Sequence, residues 1–233
     1  MSEWFTQFAD TFRFVFIDDN RWVYLAKGLL TTFIITICAL LIGVVLGFLV
    51  AVVRSAHDKT GKMKILNLIC KLYLTLFRGT PVVVQLMVLY FVVFTSPDAS
   101  QLMVAILAFG LNSGAYVAEI VRSGIVSIDN GQMEAGRSLG FTYAQTMWHI
   151  ILPQAFKNVL PALANEFIVL LKETSIAGYI GLRDLTKGGD IIRSVTYSAF
   201  MPLIAVALIY LVIVILLSHG VSRLERRLNS IDR

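Results

Sequence analysis

Several polar side chains of this sequence stand inside long apolar stretches, where ionised groups are energetically costly. A charged residue at the centre of a bilayer costs roughly 2.5–3.5 kcal/mol on insertion scales, so such residues usually face a cavity or a partner. Carboxylates and cations gathered there suit a zwitterionic ligand, because the carboxylates can bind its ammonium group and the cations its carboxylate. The candidate ligand-binding residues of the sequence are Arg78, Gly79, Thr80, Asn112, Tyr116, Glu166, Lys172 and Glu173.

The same charges also have a purely structural explanation. Glu166 and Glu173 are seven residues apart and share one helix face, whereas Lys172 points elsewhere, toward a partner subunit. An ion network that only holds two subunits together would use the same residue types. Glu119 can simply pair with Arg122 near a helix end. The residues alone leave both explanations open.

Other kinds of chemistry find no support in the residues. The sequence contains no GxxxxGK[ST] phosphate loop and no grouping of a nucleophile with a base, so we predict no enzyme and no cofactor bound by this chain. Cys38 and Cys70 form no disulfide framework, and no metal-ligand spacing is present. The formal charge of +5 does not indicate nucleic-acid binding, because the basic residues are scattered at the ends of apolar segments.

The composition is that of a helical membrane protein. The 233 residues are 57% hydrophobic and 15% charged, whereas a soluble domain carries about 25% charged residues. The charge-free stretches are near or above the roughly 20 residues that a helix needs to cross a bilayer. We therefore predict one all-α polytopic domain over residues 1–233, with an amphipathic segment at 1–22 and five transmembrane helices at 27–53, 64–94, 101–121, 159–180 and 200–221.

The distribution of lysine and arginine predicts the orientation of these spans. Twelve of these residues lie in segments 54–71 and 122–158 and in the tail after the last span, and six lie in the segments of the opposite side. Because basic residues are enriched in cytoplasmic loops, the N-terminus is predicted outside and the C-terminus in the cytoplasm.

The second predicted span contains a break at Arg78-Gly79-Thr80-Pro81. Pro81 suits the first position of a new helix and Thr80 suits its cap. The start of a half-helix beside an arginine is a ready carboxylate site. The alternative is that Arg78 extends to the membrane surface and Pro81 only kinks a helix.

Two periodic stripes predict helix faces. The third span carries Asn112, Tyr116, Glu119 and Ser123 at steps of four, three and four, a polar stripe that can line a path. Small residues follow each other at steps of four in the first span, which predicts close packing with another helix. These small residues are Ala39, Gly43, Gly47 and Ala51.

Between the third and fourth spans, residues 129–153 predict a polar helical hairpin on the cytoplasmic side. Asp129 with Gln132 can cap a first helix over about residues 131–139, and Gly140 suits a left-handed turn. Thr142 with Gln145 can cap a second helix, which Pro153 would end or kink.

The hairpin also carries a resemblance to a known family. Glu-Ala-Gly at 134–136, then Gly140, then Ile-Ile-Leu-Pro at 150–153 resemble the signature loop of permease subunits of ABC importers, in which Ala usually stands where this chain has Gly136. The runs RGTPVVVQL and NEFIVLLKETSIAGYIGLRDLT resemble the polar amino acid branch of these permeases, and the resemblance extends over about residues 20–225.

This resemblance implies the type I ABC importer permease fold in a bacterial inner membrane. It implies two ATP-binding subunits that hold ATP and Mg²⁺, a second permease subunit, identical or paralogous, and an extracytoplasmic amino acid-binding protein that meets the loops at 95–100 and 181–199. The first hairpin helix would be the coupling helix. The implied ATPase-coupling residues are Met133, Glu134, Ala135, Gly136, Arg137, Leu139, Gly140 and Phe141.

Two other functions compete with this one. A secondary amino acid transporter driven by an ion gradient would need inverted repeats and lone carboxylates; no repeat is visible, although Glu119 and Glu166 are candidate carboxylates. A membrane assembly subunit without transport activity would use the buried charges only as contacts. Co-purification with an ATPase separates the importer from both alternatives. The residues do not specify which amino acid is carried.

Overall fold

The computed structural model describes residues 2–96 and 98–230. Every regular element assigned in these two ranges is helical, which confirms the all-α class. Short π-helical turns occupy Arg13–Ile17, Leu89–Val93 and Met147–Ile151, and 3-10 turns occupy Asp18–Asn20 and Thr174–Ile180. The α-helices are α1 (Ser2–Phe12), α2 (Trp22–Thr60), α3 (Lys64–Gly79), α4 (Val82–Val88), α5 (Gln101–Val126), α6 (Asn130–Ser138), α7 (Tyr143–Thr146), α8 (Leu152–Glu173), α9 (Leu185–Thr196) and α10 (Phe200–Ser230).

Among the described residues, α2, α5 and α10 are long and apolar enough to cross a membrane. The pair formed by α3 and residues 82–93 passes the same test but bends by 109°, so the predicted interruption of the second span is confirmed. Helix α8 is not sufficiently apolar, because it carries Lys157, Glu166, Lys172 and Glu173. The count of five spans therefore stays a prediction.

Helix α5 forms the centre of the fold. In its most apolar stretch 72% of the residues are buried, against 11% in α10. Its closest neighbour is α2, whose glycines let the two backbones approach. A Cβ atom at Gly47 would lie 2.7 Å from the Val117 side chain, and one at Gly43 would lie 2.9 Å from Ser113 Oγ. The small-residue stripe predicted in the first span is thus a helix-packing face.

The other end of α2 packs against the start of α9. A Cβ atom at Gly28 would lie 2.5 Å from the Asp184 carbonyl oxygen, and Thr32 Oγ1 accepts a hydrogen bond from Leu185 N–H at 3.2 Å. The buried Asp184 carboxylate caps α9 by accepting from the Thr186 and Lys187 N–H groups. Burial raises the pKa of Asp184, and these hydrogen bonds offset part of that rise.

The hairpin and the predicted fourth span are not separate helices. Residues 143–173 form one helical run in which the π-helical turn at Met147–Ile151 comes just before Pro153. Since proline has no N–H to donate, its place at the start of the regular helix α8 removes no hydrogen bond that α8 needs. Of the two predicted outcomes, that Pro153 ends or kinks the helix, the ending is therefore wrong. Helix α8 ends at Glu173 and continues as a 3-10 helix over Thr174–Ile180, which ends at the predicted limit of 180, just before left-handed Gly181.

Replacing Gly47 with alanine tests the close contact of α2 and α5. The new Cβ atom would collide with Val117 and with the backbone nitrogen of Ala118, so we expect a loss of about 1–3 kcal/mol in stability. Thermal unfolding of the purified protein in detergent measures this loss. The control is Gly220→Ala on α10, where a Cβ atom meets nothing within 4 Å. Equal midpoints for both variants would contradict the packing described.

Candidate functional site

The break between α3 and α4 is held by a clasp of two amide side chains, Gln85 and Asn112. The Gln85 side-chain nitrogen lies 2.9 Å from the carbonyl oxygens of Phe77 and Thr80, and Gln85 Oε1 accepts a hydrogen bond from Asn112 at 2.9 Å. Asn112 also donates to the Phe77 carbonyl at 3.2 Å. The clasp thus satisfies backbone carbonyls that the break leaves without helical partners, which an apolar environment requires.

Thr80 belongs to this clasp rather than to the start of α4. Its hydroxyl donates to the Leu76 carbonyl at 2.8 Å and lies 2.8 Å from the Gln85 side-chain nitrogen. Helix α4 begins after Pro81, and no side chain of residues 2–96 or 98–230 caps it. The predicted capping role of Thr80 is therefore wrong, because the preceding turn of α3 takes its hydroxyl.

Two cavities lie along the polar face of α5. The acidic cavity has a volume of ≈ 520 Å³ and the basic cavity ≈ 600 Å³. They adjoin, because Tyr116 and Glu119 line both. The acidic cavity is lined by Tyr116, Glu119, Ile120, Ser123, Gly124, Ser127, Asn158, Ala162 and Glu166. The basic cavity is lined by Arg54, Lys71, Leu74, Thr75, Arg78, Gly79, Tyr116 and Glu119.

Glu119 joins three helices at the boundary of these cavities. Its Oε1 lies 3.4 Å from Arg54 Nη1 on α2 and 3.5 Å from Arg78 Nη1 on α3. The Arg78 guanidinium also lies 5.8 Å from the centroid of the Tyr116 ring. The predicted pairing of Glu119 with Arg122 is wrong, because Arg122 pairs with Asp58 on α2 at 3.6 Å.

Glu166 supplies the second carboxylate of the acidic cavity. Its side chain is buried, and Oε1 accepts a hydrogen bond from Ser113 Oγ at 2.8 Å. Glu173 lies seven residues after Glu166 on the same face of α8, close enough to interact electrostatically with Glu166 and Lys172. The Lys172 side chain is exposed. Neither Lys172 nor Glu173 lines the two cavities.

The structure therefore divides the predicted ligand residues into three groups. Arg78, Gly79, Tyr116 and Glu166 line the cavities. Thr80 and the buried Asn112 lie in the clasp, and Lys172 and Glu173 lie outside both places. Sequence reasoning missed Arg54, Gln85 and Ser113. Gln85 carried a usable signal, since it is the one polar residue of the apolar half-helix VVVQLMV.

The hairpin has the turns that its residues predict. Asp129 caps α6 by accepting from Gly131 N–H at 2.6 Å, but in the part of the chain that the structure describes it forms no capping box with Gln132, so that part of the prediction is wrong. Gly140 has a left-handed φ of +87°, and Thr142 with Gln145 forms a capping box. Gly136 is buried, and a Cβ atom there would lie 2.5 Å from Thr146 Cγ2. This glycine thus brings the two arms of the hairpin together.

The outward face of the hairpin is apolar as well as charged. Leu139 is 77% exposed and Phe141 40% exposed, although both are large hydrophobic side chains. Glu134, Ala135, Arg137 and Gly140 are exposed, and Met133 is half-buried. Arg137 donates to the Phe141 carbonyl at 3.2 Å, which fixes the turn. Such an exposed apolar surface is typical of a contact with another protein or with a membrane.

Comparison with known proteins identifies the family of this chain. Residues 43–230 match the family described as binding-protein-dependent transport system inner membrane component, and the chain belongs to it. The protein is therefore a membrane transport component rather than an enzyme.

Individual relatives agree with this assignment. The chain is 39% identical over 211 residues to the arginine transport system permease protein ArtQ of Bacillus subtilis, covering 90% of this chain and 94% of the relative. It is 38% identical over 208 residues to the putative glutamine transport system permease protein GlnP of Rickettsia typhi, covering 88% of this chain and 93% of the relative.

Solved structures agree on the fold. A crystal structure of an amino acid ABC transporter with histidines matches with a TM-score of 0.83 and 41% identity, covering 91% of this chain and 98% of that one. The MetNI methionine ABC transporter matches with a TM-score of 0.75 at 21% identity, covering 89% and 97%. The predicted ABC importer permease fold is thereby confirmed.

The clasp can be tested by Gln85→Leu. Removing the side-chain amide leaves the Thr80 carbonyl and the Asn112 amide with fewer partners, and each unsatisfied buried group costs about 1–3 kcal/mol. Thermal unfolding in detergent should show a clearly lower stability for this variant than for the wild type. The control is Gln154→Leu on α8, because among the described residues the Gln154 side chain bonds only to the Ile150 carbonyl of its own helical run.

A double-mutant cycle with Asn112→Leu sharpens this test. Because the two amides are partners, the double variant should lose less stability than the sum of the single variants, by about 0.5 kcal/mol or more. Additive losses would show that Gln85 and Asn112 do not form one unit.

Proposed function

We propose that this chain is a permease subunit of an ATP-driven amino acid importer and forms half of its translocation path. The observation that carries the proposal is the exposed apolar hairpin on a transport protein whose sequence has no phosphate-binding loop. Energy from ATP must then enter through another subunit, and the hairpin offers the surface for it. ATP and Mg²⁺ would be bound by that ATPase subunit, present in two copies.

The substrate we propose is a zwitterionic amino acid. Relatives named for arginine, glutamine and cystine transport support this class. Glu166 would bind the substrate ammonium group in the acidic cavity, beside Tyr116. Arg78 and Gly79 would meet the carboxylate at the neighbouring cavity. Lys172 and Glu173 would act toward the second permease subunit, while Thr80 and Asn112 hold the wall of the path.

The remaining partners follow from the same proposal. A second permease subunit, identical or paralogous, would complete the path. The proposed orientation has the hairpin in the cytoplasm and the N-terminus outside, in a bacterial inner membrane. An extracytoplasmic amino acid-binding protein would then dock near the segment that follows Gly181.

The hairpin is connected directly to the helices that carry the cavities. The run from Tyr143 to Glu173 leads from the hairpin to Glu166 without interruption. At the base of the hairpin, Asn158 donates to Ser127 Oγ at 2.9 Å, and Ser127 Oγ donates to the Gly124 carbonyl at 2.8 Å. Movement of the hairpin by an ATPase would therefore shift α5 and α8 together and change access to the cavities.

Gly140→Asp tests the docking surface. Asp tolerates the left-handed backbone better than most residues, and a side chain at Gly140 meets nothing within 4 Å, so the hairpin should keep its shape. A new charge at the apolar contact should lower recovery of the ATPase subunit in a pull-down at least about tenfold, or about 1.4 kcal/mol.

The matched control for this variant is Gly61→Asp. Gly61 also has a left-handed φ, of +65°, and open space, but it ends α2 rather than the coupling hairpin. Its recovery of the ATPase subunit should equal that of the wild type. Equal recovery from both variants would count against docking at the hairpin.

Glu166→Gln tests the ammonium site. The amide keeps the size of the side chain and can accept from Ser113, but it loses the charge. We expect amino acid uptake into proteoliposomes to fall at least about tenfold, as for removal of one buried charged partner. Recovery of the ATPase subunit should not change, and Glu225→Gln on exposed α10 should leave uptake intact.

Uptake by the wild type must depend on ATP and be blocked by vanadate. Uptake that is insensitive to vanadate but stops when an ion gradient is dissipated would instead identify a secondary transporter. If the complex that carries Glu166→Gln takes up amino acid at the wild-type rate, Glu166 does not bind the substrate.

A further inference from the structure

The basic cavity carries more positive charge than its own residues neutralise. Three cationic side chains line it, from Arg54, Lys71 and Arg78, and its one carboxylate belongs to Glu119. This leaves an excess of two positive charges in a space of ≈ 600 Å³. Like charges collected in a concave, partly apolar site create a local potential that attracts an anion.

Glu119 is already shared between the two guanidinium groups. Both Arg54 and Arg78 approach the same oxygen, Oε1, at 3.4 and 3.5 Å. Within the part of the chain that the structure describes, Lys71 has no ion pair, although it lies on the same helix as Arg78. One carboxylate therefore serves two cations, and a third cation faces the cavity beside them.

Arg54 has unused hydrogen-bonding capacity. Its side chain is 16% exposed, and its Nε atom is buried without a hydrogen-bond partner among the described residues. A buried donor without a partner costs about 1–3 kcal/mol, so an acceptor at this position would be favourable. Gly79 also leaves open space in the wall of the basic cavity, because a Cβ atom there would meet nothing within 4 Å among the described residues.

We propose that Arg54, Lys71 and Arg78 form a binding site for one anionic group, a carboxylate or a phosphate. The cavity adjoins the acidic cavity through Tyr116 and Glu119. An amino acid whose ammonium group is bound by Glu166 would present its carboxylate to these cations in the adjoining cavity. This source rests on the proposed transport function; the other source is the phosphate of an anionic lipid.

The charge of the site can be measured without any transport assay. Thr75 is exposed and lines the basic cavity. A Thr75→Cys chain, with Cys38→Ala and Cys70→Ala, is placed in phosphatidylcholine nanodiscs and treated with the anionic sulfonatoethyl or the cationic aminoethyl methanethiosulfonate. The anionic reagent should react faster. Adding Lys71→Gln should lower the anionic-to-cationic rate ratio about threefold or more, as for one unit charge nearby in solvated protein.

Two further substitutions in the same chain serve as controls. Ser123→Cys lies in the acidic cavity with Glu119 and Glu166, so it should prefer the cationic reagent. Lys64→Gln removes a charge from the same helix, outside the basic cavity, and should not change the ratio at Thr75→Cys. Equal rate ratios at the two cysteines, or a ratio that does not respond to Lys71→Gln, would overturn the anion site.

The two anion sources are separated by protection of Thr75→Cys. If L-glutamine or L-arginine slows the anionic reagent in phosphatidylcholine alone, the site takes the substrate carboxylate. If protection requires phosphatidylglycerol, the site takes a lipid phosphate. Absence of protection by both would overturn the proposal.

Measuring amino acid uptake in proteoliposomes then tests the anion site separately from the proposed function. In proteoliposomes, Lys71→Gln should lower uptake about threefold or more, with ATPase recovery unchanged, if the carboxylate is the ligand. Uptake that is normal in Lys71→Gln would overturn the carboxylate assignment alone. Absence of ATP-dependent uptake by the wild type would instead overturn the proposed function and leave the reagent test of the anion site standing.

Discussion

The hydrogen bond between Asn112 and Gln85 is the contact on which the charged part of this protein depends. A helix that turns by 109° in an apolar environment exposes backbone carbonyls that need partners. The two amides supply them from α4 and α5 and so fix the end of α3 against the central helix. This attachment places Arg78 within reach of Glu119 and Tyr116. Without the clasp, Arg78 and Gly79 would lose the contact that fixes them in the wall of the basic cavity.

The arrangement also explains how a transport helix tolerates several charges. Glu119 is neutralised by cations from α2 and α3, and Glu166 is held by a hydrogen bond from Ser113. Glu119 on α5 and Glu166 on α8 therefore face cavities, while over residues 200–217 the exposed side chains of α10 are apolar.

The sequence predicted the features that depend on local spacing. The small residues at Gly43 and Gly47 indicated the contact between α2 and α5, Pro81 indicated the break, and Gly140 indicated the turn of the hairpin. Each of these follows from the steric properties of glycine or proline within a few residues.

The features that depend on distant contacts could not be predicted in the same way. Gln85 bonds to Asn112 across 27 positions, and Arg54 pairs with Glu119 across 65 positions. Tertiary packing determines which distant residues become partners. Local spacing alone therefore predicted the nearby Arg122 as the ion-pair partner of Glu119. The continuous helix through Pro153 was missed because a π-helical turn before the proline removes the expected break.

The central claim is that a separate ATPase subunit holds the hairpin between α5 and α8 and moves the cavities through it. Site-specific photocrosslinking in the membrane tests it directly. A photoreactive residue at Leu139, which is 77% exposed on the hairpin, should crosslink to an ATPase subunit. The same residue at Tyr197, which is 96% exposed just after α9, should not. Crosslinks from Leu139 only to lipid, or to no protein, would contradict the account.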